Sequence, residues 1–269
     1  MNDTCRQRRE AEHFDLIYGR SMLRDDLEIP TAEIRRYCVC PKAHIFGKER
    51  LFALAQPLGG RDVLEIGCGS GTNAIYLAAN GARVWAYDVS PQAIAITKQR
   101  AQANNLADRI FLAVAGSLEE AFVGEKFDVI FGNVVLHHLD LTGLGERLRR
   151  RLRAGGCCVF REPVVRCGLL AALRSLVPWH LSNPSPDERP LTDRDLRALA
   201  QPFEACEIFY YDLLSRLRPI VRSPALASAL YRADAILLAY APLRYLASAA
   251  VFRLSTQPPA DVGDRGSRG

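Results

Sequence analysis

Three groups of residues in this chain have the types and spacing for chemistry. In Gly67-Cys68-Gly69-Ser70-Gly71, glycines alternate directly after the apolar run Val63-Leu64-Glu65-Ile66. Glycine at such positions lets the backbone bend sharply, adopt positive φ and approach a ligand closely, so the turn suits contact with a small cofactor. A dinucleotide-binding loop would read G-x-G-x-x-G; here Thr72 follows Gly71 and the spacing is G-x-G-x-G. Two carboxylates accompany the turn. Glu65 precedes the first glycine, where it can receive donors from a ligand or from the loop. Asp88 closes the run Val84-Trp85-Ala86-Tyr87, where a carboxylate can accept both hydroxyls of a ribose or cap the next helix. The third group is Asn133 with His137-His138. An imidazole titrates near neutrality and can act as a general base, or it can be a structural hydrogen-bonder at a helix start. No metal is expected: adjacent histidine side chains should diverge, and neither Cys38-Val39-Cys40 nor Cys157-Cys158 has ligand spacing.

Elements able to hold these residues alternate between about 60 and 161. Strands are predicted at Arg61 to Ile66, Arg83 to Tyr87, Arg109 to Val114, Phe127 to Phe131 and Cys157 to Arg161, the last after a Gly155-Gly156 turn. Helices are predicted from Gly71 to Asn80, from Pro91 to about Asn104 and from Leu141 to Arg153. Ser90-Pro91 is a helix start, with the serine as N-cap and proline at the first helical position. Strand and helix in alternation imply a parallel sheet covered on both faces. Helical pieces at Glu33 to Tyr37 and Lys48 to Gln56 are expected to cover the sheet's open edge. Downstream, Thr192 and Asp195 are spaced as a capping box before a helix to Ala200. Phe203 to Tyr211 and Ala249 to Leu254 read as late strands, and Pro163 to Pro190, with Pro178-Trp179-His180, as turn or lid material.

The composition is that of a soluble globular protein: 49% hydrophobic and 24% charged over 269 residues. The net charge of +5 is carried by arginine, with lysine only at positions 42, 48, 98 and 126, and gives little support to nucleic-acid binding. The arginines at 147, 149, 150, 151 and 153 read as a solvated helix end. The N-terminus has no apolar run of a secretory signal, so the cysteines are expected to be reduced in the cytoplasm. Arg232, Asp234 and Arg244 interrupt the apolar stretch from Ala225 to Phe252, which excludes a spanning helix.

The turn at 67–71 resembles motif I of the class I S-adenosylmethionine-dependent methyltransferases. Phe127-Asp128-Val129-Ile130-Phe131-Gly132-Asn133, continued by Leu136-His137-His138, resembles motif IV of the ubiquinone/menaquinone-methyltransferase-like (type 11) branch. Ala154 to Pro163 is similar to the fifth strand of that fold. The resemblance covers 61–163 and implies an α/β, doubly wound, mostly parallel seven-stranded sheet of Rossmann-like type. An N-terminal helical extension (1–59) would precede a catalytic domain (60–256), with a helical insertion before the last strand (213–246) and a disordered tail (257–269). S-adenosyl-L-methionine would be the cofactor, bound by Glu65, Gly67, Cys68, Gly69, Gly71, Asp88 with Val89, Ser117, Leu118 and Asn133. Ser117 stands where the family usually has an acidic residue for the adenine amino group.

His137 and His138 are the implied bases, with Glu162 and His180 in reserve; Glu162 could also pair with Arg161 or Arg166. The implied acceptor is a small molecule, sugar or lipid-linked compound methylated at oxygen, with C-methylation of a quinol-type lipid and a non-catalytic cofactor-binding role as alternatives. A nucleobase-amine acceptor is disfavoured, because Asn133-Val134-Val135-Leu136 lacks the Pro-Pro-aromatic signature. Segment 213–246 is expected to be a lid over the acceptor pocket, or else a face resting on the inner membrane surface.

Overall fold

Along each strand, successive apolar side chains divide between two cores, and that division places the helices. Val63, Val84, Val129, Phe131, Cys157 and Val251 join one core, while Leu64, Ile66, Ile130, Cys158, Phe160 and Phe252 join the other, as period-two alternation requires of a sheet buried on both faces. The protein is described by a computed structural model covering residues 9–16, 27–166 and 189–257.

Helix α1 spans 9–16; α2 is Thr31–Val39 and α3 Gly47–Ala55. The first half of the sheet then follows: β1 (Asp62–Ile66), α4 (Thr72–Ala79), β2 (Arg83–Asp88), α5 (Pro91–Ala103) and β3 (Ile110–Val114). The second half contains β4 (Phe127–Asn133), α6 (Leu144–Arg150), β5 (Leu152–Pro163), α7 (Asp193–Ala200) and β6 (Ala205–Tyr211). Helix α8 (Pro224–Leu237), flanked by 3₁₀ turns Ser215–Ile220 and Ala241–Leu246, precedes β7 (Ala249–Ser255).

The seven strands lie in the order β3-β2-β1-β4-β5-β7-β6, and β7 runs antiparallel to both neighbours. Parallel partners β2 and β4 flank β1 on opposite sides. The chain order therefore reverses at β1, which opens a crevice at the carboxyl ends of β1 and β4, the usual ligand position in such a sheet. The expected doubly wound seven-stranded architecture is the one observed.

Several local signals hold. Ser90 accepts from the Ala93 N–H with Pro91 inside the first turn of α5, and Thr192 and Asp195 form a complete capping box at α7. Others need correction. The helix expected from Leu141 runs only from Leu144 to Arg150, because Gly143 takes φ 62° just before it and Leu152 pairs with Phe127 as a strand. Gly155-Gly156 is an irregularity inside β5 rather than a turn before it. The N-terminal helices cover a face of the sheet instead of its edge: Leu51, Phe52 and Ala55 of α3 are sealed in the core with Val159 and Val251.

The arginine run does more than face solvent, although Arg150 is exposed. Arg151 donates to the carbonyls of Leu118, Ala121, Phe122 and Glu125, and Arg153 bridges Asp62 and Asp128 at 2.8 Å each. Arg149 reaches the Pro202 carbonyl and Arg147 the Asp140 carbonyl. The lid material with Trp179 and His180, and the tail from 258 onward, lie outside the described residues.

Candidate active site

The glycine turn is held by hydrogen bonds to two elements, β2 and α5. The N–H groups of Gly67 and Cys68 both donate to the Tyr87 carbonyl at 3.0 and 3.1 Å, tying the turn to the end of β2. Gly69 N–H donates to Asp88 Oδ2, and Ser90 N–H to Asp88 Oδ1, each at 2.9 Å. Thr97, on α5, donates its hydroxyl to the Gly69 carbonyl at 3.1 Å. Gly67, Gly69 and Gly71 all have positive φ. A Cβ on Gly71 would stand 2.7 Å from Thr97 and one on Gly67 2.5 Å from Val135, so close packing and backbone conformation both demand glycine.

Above the turn lies a cavity of about 520 Å³. Among the sequence-predicted cofactor residues, Gly67, Cys68, Gly69, Asp88, Val89, Ser117, Leu118 and Asn133 line it, as do both histidines; Glu65 and Gly71 do not. Gly71 serves from below, as the N-cap of α4. Glu65 sits on the opposite pleat of β1 from Ile66, beneath the loop and 1% exposed. Burial pushes its carboxyl up to about 8, against the pull of Asn73 and Lys48 and with help from the Asp88 charge. Neither Glu65 oxygen meets a donor within hydrogen-bonding geometry. Burial also raises Asp88, opposed by the backbone N–H groups of Ser90, Gly69 and Val89.

Ser117 accepts from the Glu120 N–H while Glu120 accepts from Gly116, so its hydroxyl caps the turn after β3 as well as facing the cavity. Asn133 Oδ1, Tyr87 Oη and Asn73 Oδ1 are buried in the cavity wall without a protein partner. Such atoms ask for a polar ligand.

The wall beyond β4 is organised by Glu162. Its Oε1 accepts from the N–H groups of Val135 and Leu136, both at 2.8 Å, and its Oε2 lies 2.7 Å from His137 Nδ1. These bonds secure a turn in which Val134 holds φ 62°, a conformation costing a β-branched residue roughly 1–3 kcal/mol. Glu162 pairs with neither Arg161 nor Arg166, which bind Asp212 and Asp193. A carboxylate facing Nδ1 requires the proton on that nitrogen, leaving Nε2 as the basic one. The rings of His137 and His138 do not diverge; their centroids are 4.0 Å apart. His138 Nδ1 stands 3.4 Å from Glu10 of α1, and Phe14 meets its ring edge-on. A second cavity of about 400 Å³ touches His137, Leu139 and Asp140 and is walled by Thr142, Arg189, Arg194 and Asp195.

Sequence reasoning missed Lys48, Thr97 and the α1 residues Glu10, His13 and Phe14, which line the cavity or brace it. Lys48 reaches the cavity from α3, with its ammonium 4.8 and 4.9 Å from the Tyr37 and Tyr76 rings; burial lowers its pKa. No local pattern marks it, since its role depends on how α3 docks.

Residues 64–158 match a family described as a methyltransferase domain. Over 107 residues the chain is 38% identical to the ribosomal protein L11 methyltransferase of Methylococcus capsulatus, covering 39% of this chain and 34% of that one. The chain thus spans about a third of the length of such curated relatives. Among solved structures, it is similar to the geranyl diphosphate C-methyltransferase of Streptomyces coelicolor at a TM-score of 0.55 and 16% identity, over 77% of this chain and 76% of that one. It is similar to the magnesium protoporphyrin IX methyltransferase of Synechocystis at 0.54 and 14%, over 94% and 100% of the two chains. Residues 64–158 thus match a methyltransferase-domain family, and the chain has the doubly wound fold of these solved methyltransferases.

Proposed function

We propose that the protein transfers a methyl group from S-adenosyl-L-methionine to an oxygen of a small-molecule, sugar or lipid-linked acceptor, in the manner of the type 11 branch that Leu136-His137-His138 resembles. The observation that carries this reading is the Glu162-His137 pair standing at the wall of a glycine-floored cavity. The cavity's residues fit the donor. Asp88 retains acceptor capacity for ribose hydroxyls, Lys48 offers a cation to a carboxylate, and the partnerless oxygens of Asn73 and Asn133 await donors. When bound, the donor supplies an electrophilic methyl on sulfur.

The chain's own contribution is alignment and a base. Holding an acceptor beside the donor converts an encounter into a near-unimolecular step, an effect worth several kcal/mol. His137 Nε2 takes the acceptor proton while Glu162, hydrogen-bonded to Nδ1, holds the ring in the needed tautomer and steadies the imidazolium. The second cavity reaches the same imidazole and carries the polar groups of Thr142, Asp140 and Arg194, which suits a hydroxylated acceptor.

Calorimetry with S-adenosylmethionine, S-adenosylhomocysteine and NAD tests the donor; binding of NAD with neither sulfur compound overturns the reading. Transfer of labelled methyl to extracted glycans, lipids and quinols, compared between the wild type and His137→Asn, tests the acceptor class and the base.

A further inference from the structure

Among the described residues, the insertion between β6 and β7 lines neither of these two cavities. We infer instead that it docks the protein on an anionic lipid surface. Three observations carry this.

The first is where its apolar residues face. Helix α8 buries only Ala227 and Asp234, with Tyr231 packed edge-on against Phe46 at 4.9 Å. The rest of its circumference is unusually apolar for a surface helix. Leu226 is 52% and Ile236 75% exposed, and the flanking turns add Leu217 at 50%, Ile220 at 74%, Tyr240 at 65% and Tyr245 at 53%. Leu226, Leu230, Ala233 and Leu237 fall on one stripe at helical spacing. Half of the exposed large hydrophobic residues among those described come from this one segment. A concentration of exposed apolar residues of that kind marks an interaction site.

The second is charge. Between 213 and 246 the chain has five arginines, at 216, 218, 222, 232 and 244, and a lone acid, Asp234. That acid is spent internally: it is 3% exposed and accepts from the N–H groups of Leu213, Leu214 and Ser215 and from the Ser215 hydroxyl. Arg218, Arg222 and Arg232 are exposed. Apolar residues interleaved with these exposed arginines complement the negatively charged headgroups and acyl boundary of a membrane face, whereas a second copy of the same basic surface would repel it. No described helix is long and apolar enough to cross a membrane, so the contact is one that rests on the surface.

The third is position. Phe46, which holds Tyr231, is followed after one residue by Lys48 in the cavity wall. The docking face is thus anchored beside the active cavity, where an acceptor with a lipid tail would arrive.

The test is sedimentation of the full chain with phosphatidylcholine vesicles, with and without phosphatidylglycerol. Binding is expected only with the anionic lipid and should weaken as salt is raised. Each of Arg218→Gln, Arg222→Gln and Arg232→Gln should lower partitioning roughly fivefold. The double variant Leu226→Ser/Ile236→Ser should abolish binding with circular dichroism and melting unchanged. No binding to anionic vesicles at low salt overturns the inference, as does partitioning that ignores both sets of substitutions. A concentration-dependent dimer that Ile236→Ser dissociates, without vesicle binding, would assign the face to a second copy and overturn it too. None of these readouts needs the methyl donor, so the inference stands or falls apart from the proposed activity.

Discussion

Glu162 Oε2 lies 2.7 Å from His137 Nδ1, and the two side chains, 0% and 1% exposed, join the end of β5 to the turn that follows β4. The same carboxylate fixes the backbone of Val135 and Leu136, so one residue sets both the shape of the turn and the tautomer of the imidazole. His137→Asn is expected to lower the methyl-transfer rate about 10²–10⁴-fold, the usual contribution of a general base, while leaving donor affinity within a few-fold. Glu162→Gln should slow transfer as well and also lower the melting temperature, because one amide oxygen replaces two carboxylate oxygens that serve three donors. Single-turnover kinetics beside donor calorimetry separates these effects. A loss of donor binding with unchanged chemistry would remove His137 from its role.

Asp88 serves the loop before it serves any ligand, through the Gly69 and Ser90 N–H groups. Asp88→Ala should therefore weaken donor binding roughly tenfold to a hundredfold, the range for hydrogen bonds to a charged group, and loosen the glycine turn. Amide hydrogen exchange at Gly69 should rise in the variant. Unchanged S-adenosylmethionine affinity would contradict the ribose assignment.

Glu65 gives the ligand-free protein a pH signature. Burial pushes its folded pKa up to about 8 from the ordinary 4.5 of a glutamate, so the folded state holds a proton that the unfolded chain releases first. The sign follows: this contribution to stability is fully present below about 4.5 and disappears as pH rises through about 8. Thermal melts across that window should show a falling melting temperature in the wild type and a flatter profile in Glu65→Gln. A parallel slope in the two proteins would place the proton elsewhere.

Gly71 combines φ +80° with Thr97 atoms 2.7 Å from any added Cβ. Gly71→Ala should destabilise the fold by about 1–3 kcal/mol from backbone strain alone, with the displaced Thr97 hydroxyl releasing the Gly69 carbonyl. Chemical denaturation measures the first effect and donor titration the second.

What could be read from the chain beforehand was whatever a few consecutive residues decide. Ser90-Pro91 and the Thr192-Asp195 box are caps whose chemistry is complete within four residues, and the structure has both. The glycines at 67, 69 and 71 and the carboxylate at 88 likewise carry their meaning locally. Glu162 was visible only as an acid near a strand end. Its partner His137 became identifiable when the register of β4 against β5, with Asn133 beside Arg161, brought the two segments together. Lys48 and Thr97 were illegible for the same reason, since each acts through the docking of its helix onto a loop distant in sequence. Charge patterning caught only part of Arg147 to Arg153, because an arginine's donors can satisfy backbone carbonyls as well as face water.

Arg151, with one guanidinium, holds the carbonyls of Leu118, Ala121, Phe122 and Glu125. The wall containing Ser117 and Leu118 is therefore already ordered before anything occupies the cavity. A heterocycle resting against it would forfeit little conformational entropy, and the neutral Ser117 hydroxyl, which already accepts from the Glu120 N–H, would hold an amino group less strongly than a carboxylate would. Donor analogues altered only at the adenine amino group should accordingly compete nearly as well as the parent compound, with recognition concentrated at the ribose and amino-acid ends.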